Sequence, residues 1–277
     1  MTIKYFLTQA FASVLFLLSF VVSPFSDVLA YVSTLLFLVA LLIKLGAAPF
    51  HAWVPSIVES LSWRVLFILL TFQKVNPLFI LLNWNFFSFF RLKLIFLAIF
   101  ASVFVGRVFG LSQVRVRLLL TFSSINHMGW ILSAFILGFK LIVFYFLAYM
   151  LLLGAVVFFF SKSNLYHVNQ ISSSSFSVGN SSLIFFNLLS LGGLPPFFGF
   201  LPKWCVLQST VELGFYFLSL SLILSRLIVL YFYLRLTFSA FILKKVVWLE
   251  VSKITLSFEI LFFNLFSLGG LTLSFLM

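Results

Sequence analysis

The chain has 277 residues, of which 64% are hydrophobic and only 8% charged, with a formal net charge of +12. Apolar runs of roughly twenty residues recur from end to end, which is the pattern of membrane-spanning helices and excludes a soluble core. The cations are spread one or two at a time over short loops, with no basic stripe and no base-reading chemistry, which excludes nucleic acid as a partner.

Cys205 is the single cysteine, so there is no disulfide framework, thiolate metal site or iron–sulfur ligation, and no redox cofactor is held in this chain. No polar segment exceeds about twenty residues, which leaves no extramembrane domain. The 42 phenylalanines exceed what packing requires. Because phenylalanine codons are thymine-rich, they point to a thymine-rich genome such as an organelle's.

Taken in order, an all-α, polytopic bundle of about nine spans is expected: Tyr5–Val22, Leu29–Ala48, Ser62–Leu82, Phe90–Gly110, Val116–Gly138, Leu141–Ser161, Leu183–Gln208, Phe215–Leu236 and Thr255–Leu276. The first run carries Gln9 and Ser13 with no small-residue cleavage signal after it, so it reads as a span in preference to a signal peptide. The second ends in KLGAAPFHAWVP (Lys44–Pro55), where a lysine sits in an apolar helix that Gly46 and Pro49 must loosen at once. A charge at the bilayer centre costs about 2.5–3.5 kcal/mol and is a functional candidate by default. Irregular backbone beside it is tolerated only where protein or water replaces lipid.

The third span holds Lys74 in TFQKVNP, with Pro77 expected to bend the helix beside the cation; the alternative is a lysine that snorkels to an interface. In the fifth, FSSINHMGW places Ser123, Asn126 and His127 on one helix face, and histidine exchanges protons near neutrality. A satisfied packing histidine is the alternative. The Ser- and Asn-rich loop Lys162–Ser182 reads as an exposed connection with no chemistry of its own. In the seventh span, SLGGLPPFFGFLPKW concentrates Gly192, Gly193, Pro195, Pro196, Gly199 and Pro202 before Lys203. That helix should be broken, exposing carbonyls and dipole ends that hold ions or water; the alternative is a packing kink with Lys203 at the surface. Arg226 in the eighth stays charged and is expected to face a neighbouring subunit or pair with a carbonyl.

With nine spans, the N-terminal side carries Lys4, Arg64, Arg107, Arg115, Arg117, Lys162, Arg235, Lys244, Lys245 and Lys253, and the other side only Arg91, Lys93 and Lys140. The positive-inside tendency therefore puts the N-terminus in the cytoplasm or matrix and the C-terminus opposite. Acids are scarce: Asp27, Glu59, Glu212 and Glu250 fall in loops or at span ends, and Glu259 lies about one turn into the last span. No acid partner for Lys44 is evident within the chain.

IKYFLTQAFAS (Ile3–Ser13), KLGAAPFHAWVP, TFQKVNP, FSSINHMGW, SLGGLPPFFGFLPKW and YFYLRL (Tyr231–Leu236) together resemble, in order, the motifs of the NADH dehydrogenase subunit 2 family of mitochondrial respiratory complex I. The resemblance implies an antiporter-like fold of two inverted five-helix repeats, each with a broken helix, and a midplane chain of ionisable groups that carries protons. Residues 1–83 would be the remnant of the first repeat, 90–237 the second, and 254–277 a C-terminal helix. Lys44 matches the lysine of the first broken helix, Lys74 that of the next span, His127 the connecting histidine and Lys203 the lysine of the second broken helix.

The same resemblance implies an inner-membrane location with a matrix N-terminus and a C-terminus in the intermembrane space. NADH, FMN, iron–sulfur clusters and ubiquinone are then expected in partner subunits. The partners implied are other complex I membrane subunits, especially neighbouring antiporter-like and small core subunits, together with phospholipids. In the family two further helices precede IKYFLTQ, the second with a glutamate that pairs with the lysine matched by Lys44. Their absence makes the first repeat incomplete, so an accessory helix, another subunit or lipid is expected to fill the gap; a truncated sequence or a silent channel are the alternatives. Three functions follow: a proton-translocating complex I subunit, a non-pumping structural or assembly subunit of the same complex, or an independent cation/proton antiporter. The subunit-2 strings weigh against the last.

Overall fold

The computed structural model describes residues 2–23, 27–83, 89–168, 170 and 186–241. The ninth expected span with Glu250 and Glu259, the start of the seventh and most of the Ser-rich loop lie outside the described residues. In chain order the helices are α1 (Thr2–Val22), α2 (Asp27–Leu45), α3 (Trp53–Val58), α4 (Trp63–Leu70), α5 (Phe72–Leu82), α6 (Phe89–Leu111), α7 (Val116–Leu137) and α8 (Phe139–Ser163). A helical run at 186–192, α9 (Phe200–Glu212) and α10 (Tyr216–Phe241) follow.

Six segments among the described residues are long and apolar enough to cross a membrane: Thr2–Val22, Trp63–Leu82, Arg91–Leu111, Val116–Leu137, Phe139–Ser163 and Tyr216–Phe238. The second expected span is shorter, Leu29–Leu45, and the seventh is divided between the 186–192 run and α9.

Helix α7 is the centre of the bundle, with 94% of its apolar window buried against 11% for α1. It packs most extensively on α6, while α1 lies along α2. The α6–α7 crossing is close because two glycines permit it. A Cβ on Gly106 would stand 2.6 Å from the Asn126 nitrogen, and one on Gly129 would stand 2.4 Å from Val103 Cγ2, the small-residue approach that dispersion favours between apolar helices. Hydroxyls in these helices do not cost an unpaired donor. Ser102, Thr121, Ser123, Ser124 and Ser133 each donate to the carbonyl three residues before.

Two details were not foreseen from the sequence. The third span is interrupted at Thr71 (φ −120°, ψ −77°), six residues before Pro77, which lies buried inside a continuous α5. Pro77 lacks the N–H that would bond to the Gln73 carbonyl, while the interruption itself forms where Thr71 accepts the Lys74 amide at 3.0 Å and donates its hydroxyl to the Phe67 carbonyl at 2.6 Å. The start of the Ser-rich loop is also not a bare exposed connection. Leu165 and Val168 are buried, and Val116 N–H, an orphan donor at the α7 N-terminus, bonds to the Tyr166 carbonyl at 3.0 Å.

Candidate functional site

The two Gly/Pro-rich interruptions are built alike. At the end of α2, Gly46 adopts φ 65°, its N–H bonds to the Ile43 carbonyl and Ala47 N–H to that of Leu42, both at 3.1 Å. At the end of the 186–192 run, Gly193 adopts φ 81°, its N–H bonds to the Ser190 carbonyl at 3.0 Å, and Leu194 N–H to that of Leu189 at 3.3 Å. Both are Schellman caps, for which glycine is chosen because a Cβ is penalised at positive φ, and prolines at 49, 195 and 196 keep the helix from resuming. In each case a later side chain reaches back to the helix end. Trp53 Nε1 donates to the Ile43 carbonyl at 3.0 Å; Lys203 Nζ donates to Leu191 at 2.7 Å and Gly192 at 3.0 Å.

The second interruption is the tighter. Gly199 lies so close to the first half that a Cβ there would be 1.8 Å from the Ser190 carbonyl oxygen. Pro202 and Lys203 lie buried in the first turns of α9, and Arg226 from α10 donates to the Gly193 carbonyl. The carbonyl pairing expected for Arg226 is the one the fold uses.

Lys74, His127 and Lys203, on α5, α7 and α9, are 4%, 3% and 2% exposed. Lys74 and His127 meet at one ring, that of Tyr149, and Lys203 lies on α9, which packs against both α7 and α8. Two tyrosines on α8 lie against His127. Tyr149 has its ring 5.4 Å from Lys74 Nζ and 5.1 Å from the His127 ring. Its hydroxyl donates at 3.4 Å to the Leu70 carbonyl, the acceptor that the Thr71 interruption leaves without its helical amide. The Tyr145 hydroxyl lies 3.0 Å from His127 Nδ1. His127 Nε2 and Asn126 Oδ1 are buried with no hydrogen-bond partner among the described residues, and Ser123 and Ser124 are buried beside them.

Sequence reasoning missed both tyrosines. The available signal was their spacing: Tyr145 and Tyr149 are four apart and so share one face of α8.

Lys44 has its own aromatic neighbour. It occupies the last turn of α2, half-buried, with Nζ 5.2 Å from the Phe16 ring centroid. A cation over an aromatic face is stabilised by about 0.5–2 kcal/mol, less than a buried carboxylate would give.

Helices interrupted by glycine caps, with lysines at or near the interruptions and a histidine on the central helix, define an antiporter-like membrane fold. The chain belongs to the family described as NADH:quinone oxidoreductase/Mrp antiporter, transmembrane, which it matches over residues 1–229. It is 42% identical to NADH-ubiquinone oxidoreductase chain 2 of Anopheles gambiae over 98% of this chain and 81% of that protein. With the chain 2 protein of Locusta migratoria it shares 37% identity over 87% of this chain and 71% of that one. Among solved structures it is similar to a chain of respiratory complex I from Thermus thermophilus, with TM-score 0.77 and 25% identity, covering 88% of this chain and 60% of that one. A chain of the Mrp complex from Dietzia sp. shares the fold, with TM-score 0.76 at 19% identity, over 86% of this chain and half of that one.

Proposed function

We propose that this chain is a proton-translocating membrane subunit of respiratory complex I in the mitochondrial inner membrane, moving protons from matrix to intermembrane space. The observation that carries this reading is the buried Lys74–His127–Lys203 cluster, in which the cations are held by carbonyls and aromatic faces instead of carboxylates. Ammonium groups kept in an apolar bundle with no stabilising acid among the described residues are poised for transport. Tyr149 and Tyr145 supply hydroxyls between them, and the unpartnered His127 Nε2 offers a site for a proton or a water. Quinone reduction elsewhere in the complex would drive electrostatic and hydration changes along the set, with NADH, FMN, iron–sulfur clusters and ubiquinone held by partner subunits.

On this reading the interruptions after Leu45 and after Gly192 correspond to the two broken helices of an inverted-repeat fold, with Lys44 carrying protons on the first-repeat side. The loop cations give the orientation, with the N-terminus in the matrix. The identities of 37–42% to chain 2 proteins favour complex I over an independent antiporter, whose resemblance rests on fold.

The test is proton stoichiometry. Lys203→Ala and Lys74→Ala each lower the protons moved per NADH oxidised in reconstituted vesicles while the complex still assembles. Full stoichiometry in both variants overturns the proposal and leaves a structural subunit. That second reading has one observation in its favour, the contact of Lys44 with a phenylalanine ring where a carboxylate would serve transport better.

A further inference from the structure

The end of the 186–192 run presents three successive carbonyls, those of Leu191, Gly192 and Gly193, at the negative end of a helix dipole. Lys203 takes the first two and Arg226 the third. A Cβ on Gly193 would lie 2.9 Å from Lys203 Cδ and 3.1 Å from its Nζ, so the lysine is pressed against the cap with no room to spare. The Arg226 guanidinium lies 4.9 Å from the Phe200 ring centroid, which fixes its plane from the α9 side, and Arg226 and Lys203 hold adjacent carbonyls, those of Gly193 and Gly192. Among the described residues, the ionisable groups on the elements packed around this terminus include His127 on α7, Tyr145 on α8 and Tyr233 on α10, whose ring would lie 3.5 Å from a Gly192 Cβ. None of the carboxylates described reaches it: Glu59 pairs with Arg115 and Glu212 accepts from Gln208.

Two cations thus share one carbonyl terminus, and they differ in kind. A lysine gives up a proton when its surroundings demand it, whereas a guanidinium stays charged. If Lys203 were the sole cap, each loss of its proton would weaken the hold on the helix end and free the interruption to rearrange. With Arg226 on Gly193 the terminus keeps a permanent cation through the cycle. The same fixed charge also bears on the neighbouring ammonium, because like charges disfavour one another at close range.

We propose that Arg226 is a positioning residue for Lys203: it holds the Gly193 carbonyl and supplies the fixed charge against which Lys203 releases and recovers its proton. This inference rests on the translocation reading above.

The test uses the assembled complex with Arg226→Lys, Arg226→Gln and Arg226→Met, each compared with Lys203→Met. Arg226→Gln keeps a donor for the carbonyl and removes the charge. It is expected to assemble, to oxidise NADH, and to move the pH profile of proton translocation by about one unit. Arg226→Met moves it as far or further, and Arg226→Lys, whose charge can be lost, restores the wild-type profile only in part. An Arg226→Gln profile that superposes on wild type, while Lys203→Met abolishes translocation, overturns the role of Arg226 and leaves Lys203 in place. Wild-type translocation by Lys203→Met instead removes the translocation reading itself. Failure of both Arg226→Gln and Arg226→Met to assemble makes Arg226 a folding residue and overturns the proposal.

Discussion

At the scale of single residues the site depends on contacts that tolerate no added atom. Gly199→Ala places a methyl 1.8 Å from the Ser190 carbonyl oxygen, and backbone cannot yield as a side chain does. The expected cost exceeds the usual overpacking range of about 1–3 kcal/mol, visible as loss of assembled complex on native gels. Gly192→Ala is the contrast. Its added Cβ meets the Tyr233 ring at 3.5 Å, an ordinary contact, and alanine favours helix over glycine by roughly 0.5–1 kcal/mol, so assembly should be unchanged or slightly improved. Tyr145→Phe removes the hydroxyl at His127 Nδ1 and leaves that nitrogen buried without its partner, a loss of about 1–3 kcal/mol. The expected result is a complex that assembles, melts at a lower temperature and moves fewer protons per NADH oxidised.

At the scale of elements, the interruption at Thr71 and not the proline beside it sets the environment of Lys74. Pro77→Ala is expected to leave translocation intact, since it restores one helical bond without closing the turn at Thr71. Tyr149→Phe is expected to act on the interruption directly. It takes the hydroxyl from the Leu70 carbonyl while preserving the ring that faces Lys74, so any fall in translocation reports the polar contact alone. A Tyr149→Phe complex with wild-type proton stoichiometry would show that this hydroxyl serves packing only. Arg235 illustrates a quieter element-level role. It donates to the Leu111 and Gln113 carbonyls at 2.9 and 2.6 Å, so α10 caps the C-terminal end of α6, where a cation also complements the dipole.

Across the whole molecule, one polar junction joins the short helices after the first interruption to the central pair. Arg117 donates to the Glu59 carbonyl at 3.0 Å, and its guanidinium lies 5.1 Å from the Trp63 ring centroid and 4.5 Å from that of Tyr166. The segment leading out of α3, the start of α4, the start of α7 and the chain after α8 therefore meet at one side chain. Arg115 pairs with Glu59 at 2.9 Å, but the two side chains are 55% and 39% exposed, and such pairs contribute about 0–1 kcal/mol. Arg117→Ala is expected to destabilise the assembled subunit clearly, through lost stacking as well as lost charge. Arg115→Ala should shift its melting by no more than about 1 kcal/mol's worth. Equal effects of the two substitutions in a thermal-shift measurement would contradict this ranking.

What the sequence determined by itself was set by the solvent. A bilayer demands long apolar helices and penalises charge, so the apolar segments, the glycine- and proline-marked interruptions and the unusual lysines and histidine could all be read from composition and spacing. Local geometry also made Gly46 and Gly193 legible as helix ends, since only neighbouring residues take part in their caps.

The tertiary structure decided which of those groups meet. It brings Lys74 and His127 to the Tyr149 ring, ties Lys203 to the carbonyls of Leu191 and Gly192 and sets Lys44 over Phe16. It introduces Tyr145 and Tyr149, and it joins Arg226 to a carbonyl 33 residues away. It also puts the third-span interruption at Thr71, where Tyr149, 79 residues from Leu70, satisfies the freed carbonyl. Partners that far apart along the chain leave no periodic trace in it. Their pairing is fixed only when buried polar groups must find whatever donor or acceptor the packed helices bring within reach.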